Sequence, residues 1–374
     1  MKNIISIAYT LIFISAIQFQ AAAQGCVAIR SNGNINMVHP TAGEFINENG
    51  TWQLSTTTRY FRSFRHFSGT AENKQRLVDG SNVINHQASL DLALTRIIND
   101  RWSYLIDMPI VSNARSSLYE HGLVNGVYVK KERHTTHSFG IGDIRFAAYA
   151  WLLDPHKFMK GNIQVGLGIK LPTGDDNVKD YWYNVGPNGT KELRTVDQSI
   201  QLGDGGTGFT TEINAYYNFK PNVGIYTNFY YLSNPREQNG VRTYRETLSP
   251  ALANEAISSV PDQYMFRGGA TYSFTHVKGL SVSAGARLEG IPVHDLIGGS
   301  GDFRRPGYIW SVEPVASYQL KRTNFFLSIP FAIARNRTQS VTDIENSIAA
   351  GKHVQGDAAF ANYVINAGFS IKFK

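Results

Sequence analysis

The chain has 374 residues, a formal net charge of +7, 12% aromatic and 17% charged residues, and a single cysteine. One cysteine excludes an internal disulfide, and the excess of Tyr, Phe and Gly points to strands rather than helices. The basic residues form no stripe with interleaved aromatics, which argues against nucleic acid as a partner.

In chain order the first element is a secretory signal. Met1-Lys2-Asn3 is a short basic start, residues 4–17 read "IISIAYTLIFISAI", and Ala21 and Ala23 complete an A-x-A cleavage site. This predicts a signal peptide over 1–23, since the apolar run is shorter than the roughly 20 residues of a spanning helix. Residues 24–50 hold few apolar positions and carry Cys26. They are expected to form a periplasmic segment, open to a periplasmic partner. No later apolar run is long enough for a transmembrane helix.

From residue 51 onward the pattern is period-2 alternation in stretches of about ten residues or more, the mark of β-strands with two unlike faces. It predicts about twelve strands, near 51–66, 83–97, 102–113, 137–152, 161–172, 207–219, 222–233, 263–275, 279–291, 307–320, 323–336 and 358–373. The last is the clearest: Tyr363, Ile365, Ala367, Phe369, Ile371 and Phe373 alternate with Val364, Asn366, Gly368, Ser370 and Lys372. In 323–336, Phe325, Leu327, Ile329, Phe331 and Ile333 alternate with Ser328, Pro330, Ala332 and Ala334. Apolar stripes end in aromatics, and the opposite faces are rich in Gly, Ser, Thr and Asn. Short links near 99–100, 154–160, 220–221, 276–279 and 321–322 alternate with long ones near 68–81, 114–136, 173–206, 234–262, 292–306 and 337–357. A soluble sandwich has no reason to keep its long loops at one end. The expected fold is therefore all-β: a transmembrane antiparallel β-barrel over 51–374, with short periplasmic turns and long extracellular loops, in the bacterial outer membrane.

With the apolar stripe facing lipid, strand parity turns Arg59, Asp91, Asp107, Asp143, Arg145, Lys170, Glu212, Arg267, Arg287, Glu289 and Glu313 into the lumen. Acidic and basic members nearly cancel. A ring of one sign would set ion selectivity; a balanced set suits ion pairs across a narrow barrel, or the wall of a solute path. Loop cations such as Lys130, Lys131 and Arg133 are candidates to meet outer-membrane lipid and anionic lipopolysaccharide, or anionic solutes; a solvated loop face is the plainer alternative.

Other chemistry was weighed and set lower. His134 and His137 of "HTTH" are three apart and point to opposite faces of a strand, so they do not converge on a metal. Asp175 and Asp176 of "TGDDN" and Asp204 of "LGDGG" make oxygen-rich loop ends without the full spacing of a calcium loop; solvated turns are the simpler reading. His86 has lipid-facing parity and Ser89 the opposite, so they form no catalytic pair. Neither a catalytic set, a metal site nor a cofactor is expected.

"SFGIGDIRFAAYAWLL" (138–153) and "VGLGIKLPTGDD" (165–176) together carry a resemblance. A Gly-x-Gly-Asp strand followed by a strand ending in Leu-Pro-Thr-Gly-Asp resembles the outer-membrane transporter family named for the meta-pathway of phenol degradation. The resemblance is sharp only over 138–176. It implies a signal-bearing barrel with a transport role and supplies no catalytic residues. The closing "FSIKFK" resembles the C-terminal insertion signal of such barrels, although Lys374 follows the aromatic Phe373. The expected function is passage of a small solute, hydrophobic or aromatic in character. The alternatives are a non-conducting barrel that anchors partner proteins and, lower still, a barrel-borne hydrolase.

Overall fold

The structure, a computed structural model, describes residues 49–374 apart from 119, 122, 125–126, 129–131, 245–247, 249 and 302. The signal segment, Cys26 and the loop residues Lys130 and Lys131 lie outside the described residues.

The chain forms a closed antiparallel barrel of twelve strands. In order they are β1 (Trp52–Ser68), β2 (Ile84–Ile97), β3 (Trp102–Ser117), β4 in two halves (His134–Ile141 and Arg145–Trp151), β5 (Gly161–Lys170), β6 (Gly208–Lys220), β7 (Val223–Ser233), β8 (Gln263–Ser273), β9 (Leu280–Ile291), β10 (Gly307–Leu320), β11 in two halves (Thr323–Ser328 and Phe331–Asn336) and β12 (Ala358–Phe373). Each pairs with its neighbours in sequence, and β12 closes on β1 from Trp52↔Phe373 to Phe67↔Ala358. Closure removes every free sheet edge, which a membrane-spanning sheet requires because hydrocarbon offers no partner for backbone groups. No helix among the described residues is long and apolar enough to cross a membrane.

Alternation sets the two faces. On β3 the outward Trp102, Tyr104 and Ile106 are exposed, while Ser103, Leu105, Asn113 and Arg115 point inward and are buried. At the short-turn end the outward side chains are mainly aromatic: Trp102, Tyr104, Tyr217, Phe219, Tyr272, Phe274 and Tyr318. They make the interfacial girdle of an outer-membrane barrel.

Two predicted strands are interrupted. In β4 the break at 142–144 is stitched from other segments: Gly142 N donates to Pro109 O at 2.8 Å, and Thr173 bridges it. The Thr173 hydroxyl donates to Gly142 O at 2.9 Å and accepts from Ile144 N at 2.8 Å. In β11 the break falls at 329–330, where Pro330 has no N–H for the ladder. Beyond it Trp310 pairs with Ala334 and Ser311 with Ala332, which is a bulge. Ala334 was expected to face inward. It is exposed instead, and Arg335 turns in and is buried over the Phe67 ring. One extra residue on one strand reverses the faces that follow it.

The long links are structured rather than open. That between β5 and β6 carries the hairpin Lys179–Trp182/Glu192–Thr195, that between β7 and β8 pairs Gln238–Arg242 with Ile257–Ser259, and that between β11 and β12 holds the helix Val341–Ala350. A capping box starts this helix, with Ser340 Oγ accepting from Asp343 N and the Asp343 carboxylate accepting from Ser340 N. Gly351 ends it in the left-handed region.

Candidate functional site

The predicted interior charges fall into connected groups. Near the middle, β8, β9 and β10 meet β1. Arg287 lies 2.8 Å from Glu289 and 3.6 Å from Glu313, Arg267 lies 3.8 Å from Glu313, and Arg59 lies 3.9 Å from Glu289. Ser328 donates to Glu313 at 2.6 Å. Arg267, Arg287, Glu289 and Glu313 are fully buried. On the facing wall Arg145 pairs with Glu212 and lies 3.5 Å from Asp107, and the Tyr149 hydroxyl donates to Glu212 at 2.8 Å. Tyr149 has room because Gly166 stands beside it: a Cβ there would come within 2.4 Å of the ring. For buried ion pairs the desolvation cost and the attraction nearly cancel, but losing one partner costs about 3–5 kcal/mol. The interior charges therefore constrain one another.

The third group lies at the extracellular end, around Asp143. Asp143 was expected on a strand face; it sits in the β4 break instead. Its carboxylate accepts from Gly174 N at 3.0 Å and Asp204 N at 3.2 Å, and Lys170 lies 3.5 Å away. Lys170 also pairs with Asp204. Asp204, read from sequence as part of a solvated turn, is buried, with Lys170 supplying the cation beside it. The two resemblance motifs thus meet in space. Gly142-Asp143 and Thr173-Gly174 form one latch, and Gly174 packs so closely on the Gly203 backbone that a Cβ would lie 2.7 Å from Gly203 N.

The latch holds a segment that sequence reading placed outside. Residues 196–204 run across the extracellular mouth. On one side Gln87 Nε2 donates to Ser199 O at 2.5 Å, and Asn113 Nδ2 and Ser138 Oγ donate to Ile200 O at 3.2 and 2.5 Å. These are inward side chains of β2, β3 and β4. On the other side Gln198 Nε2 donates to Ser259 O at 2.5 Å, and Arg305 forks onto Asp197 at 2.8 and 3.0 Å. Arg115, from β3, lies 3.4 Å from Asp197. Asp197 and Ile200 are fully buried.

Beneath this segment is a cavity of about 160 Å³. Its lining is mixed: Phe61, Val111, Leu202, Tyr230 and Leu232 are apolar, Gln87, Asn113, Lys170 and Arg305 add polar groups near the mouth, and Arg59, Asp91, Asp107 and Arg145 form its floor. Asp91 and Asp107 both reach this floor from neighbouring strands. The wall between β2 and β4 therefore brings predicted residues to the chamber, while Arg267, Arg287, Glu289 and Glu313 lie apart from it in the buried network.

Sequence reasoning missed Arg115, Asp197, Arg304 and Arg305, which also lie at this mouth. Arg115 carried a usable signal: it keeps the inward parity of Asn113, past the point where the strand was expected to end. Arg304, whose guanidinium pairs with Asp295 at 2.7 Å, and Arg305 lie in a loop without periodicity. His86 is on the outer wall, where its Nδ1 lies 2.9 Å from the Tyr60 hydroxyl, and Ser89 lines the chamber within. His137 faces out against Asp180 at 3.3 Å, and His134 stacks on Tyr183.

No family model matches the chain and no curated protein matches its sequence. The resemblance over 138–176 thus stands on its two motifs alone. Among solved structures, the chain is similar to an outer membrane channel from Pseudomonas putida F1. Identity is 11% over 90% of this chain and 100% of that one, with a TM-score of 0.54. It is also similar to the Ralstonia pickettii toluene transporter TbuX, at 9% identity over 94% of this chain and 95% of that one (TM-score 0.42). At such identities the likeness is one of fold. The fold is that of an outer-membrane β-barrel.

Proposed function

We propose that the barrel is a channel for a small solute with an apolar or aromatic body, received in the chamber beneath the 196–204 segment. The observation that carries this reading is the chamber. At about 160 Å³ it matches the scale of a cavity of about 150 Å³ that accepts benzene. Apolar side chains contribute much of its lining, so a solute would bury its body against Leu202, Leu232 and Tyr230 and turn any polar end toward Arg59, Asp91, Asp107 and Arg145. Lys170, Asp143 and Asp204 would hold the roof in place. A channel of the same fold is consistent with this role.

The test is conductance of the purified barrel in planar bilayers. Discrete openings, partly blocked by millimolar benzyl alcohol, are expected, with longer openings when Asp197→Ala frees the roof. One observation favours a second reading: the ion pairs from Arg59 to Arg267 run through the middle of the barrel. If both the native protein and Asp197→Ala are silent, the barrel is closed, and anchoring of partners replaces transport.

A further inference from the structure

The outer wall near the extracellular rim carries cations that the chamber does not use. On β1 the outward side chains run Leu54, Thr56, Thr58, Tyr60 and then Arg62. At about 3.4 Å per residue and a tilt near 40°, the ten residues from Trp52 to Arg62 climb about 26 Å along the membrane normal. The apolar band of such a barrel is about 25 Å tall. Arg62 therefore stands where hydrocarbon gives way to headgroups.

A second arginine stands near it. Arg62 pairs in register with His86 on β2, and His86 with Ala114 on β3. Arg133 lies over the tips of those two strands, donating to Ser116 O at 3.2 Å, Gly80 O at 2.7 Å and Asn82 O at 2.8 Å. These acceptors are all neutral. The Arg62 guanidinium lies 4.4 Å from the centre of the Phe64 ring. Among the described residues, neither arginine has a carboxylate within ion-pair distance. Burial first, and then the charge of Arg62, lower the pKa of Arg133, with Glu120 opposing them. Two guanidiniums on one stretch of wall repel unless an anion joins them, and their planar forks suit a phosphate group.

We infer that Arg62 and Arg133, with His86 between them, form a site for a phosphate of an outer-leaflet glycolipid, the lipopolysaccharide type. The depth of Arg62 selects a lipid phosphate over a soluble one, because the ligand must reach the site from the lipid-facing wall. The inference rests on the outer-membrane placement of the barrel and not on what its chamber carries.

Native mass spectrometry of the full barrel in detergent tests it, with bisphosphorylated lipid A, dephosphorylated lipid A and inorganic phosphate as probes. Heat-modifiable gel migration first checks that each variant is folded. The native protein is expected to retain bisphosphorylated lipid A at least tenfold more than the Arg62→Gln/Arg133→Gln double variant, and to show no such difference for the dephosphorylated lipid. Lys278→Gln, at the opposite rim, should match the native protein. Equal retention of the phosphorylated lipid by native and double-variant protein overturns the site. Inorganic phosphate binding as tightly as lipid A overturns its assignment to a lipid.

Discussion

Asp197 is one anchor of the segment that crosses the extracellular mouth, held by Arg305 and Arg115. Burial by itself would raise its pKa; Arg115, Arg305 and the hydrogen bonds from Arg305 and Ser199 reverse this and hold the carboxyl well below the usual carboxylate range. A depressed carboxylate stabilises the folded state fully above the unfolded value of about 3.9, and that stability is lost as pH falls through the depressed value. Conductance steps should therefore be the same at pH 7 and pH 5, and only Asp197→Ala should lengthen them. His121 has its window elsewhere. Burial lowers its pKa to about 4, and its Nδ1 accepts from Tyr183 N at 3.1 Å, beside Trp182 and the ring of His134. A histidine held neutral stabilises fully above its unfolded value of about 6.5 and loses that contribution as pH falls toward about 4. Fluorescence of Trp182, isolated by difference from Trp182→Phe, should change between pH 6.5 and 4 while the conductance does not. Inside the barrel, Glu313→Gln leaves Arg267 and Arg287 short of an acid. Reversal potentials in a salt gradient should shift toward anions. Parity alone assigns Glu212 or Arg287 to the interior face. The partners of Asp197 were not legible in the sequence, because Arg115 and Arg305 are far apart in sequence and meet only across the mouth.

At the scale of elements, the twelve strands were readable and their interruptions were not. The alternation through 137–152 looks continuous, yet the chain breaks at 142–144, where Pro109 and Thr173 offer the backbone other partners. Thr173→Val would leave Gly142 O and Ile144 N without their bridge. A hydrogen bond contributes about 0.5–1.5 kcal/mol net. The expected outcome is a lower temperature for the heat-induced gel shift, together with a looser roof seen as noisier conductance. An unchanged shift temperature would mean that water replaces the hydroxyl at no cost. The helix Val341–Ala350 had a signal that went unused: Ser340 and Asp343 are spaced as a capping box. In the sequence this segment lies between strands and reads as a long loop.

For the whole molecule, a closed twelve-strand barrel should run faster on gels before boiling than after and should require detergent to stay dispersed. A protein soluble without detergent would contradict the fold. Sequence by itself determined the strand number, the lipid-facing stripe and the end at which long loops gather. These follow from a period of two and from link lengths, which are local properties. Parity also assigned each interior charge a face, an assignment that a bulge or break can reverse. Only the tertiary structure decided that the charges split between a buried network and a chamber floor, that the segment 196–204 crosses the mouth, and that "GIGD" and "LPTGDD" lock together as a latch. Those outcomes depend on which distant side chain satisfies a backbone group or a charge, and that choice exists only once the barrel has closed.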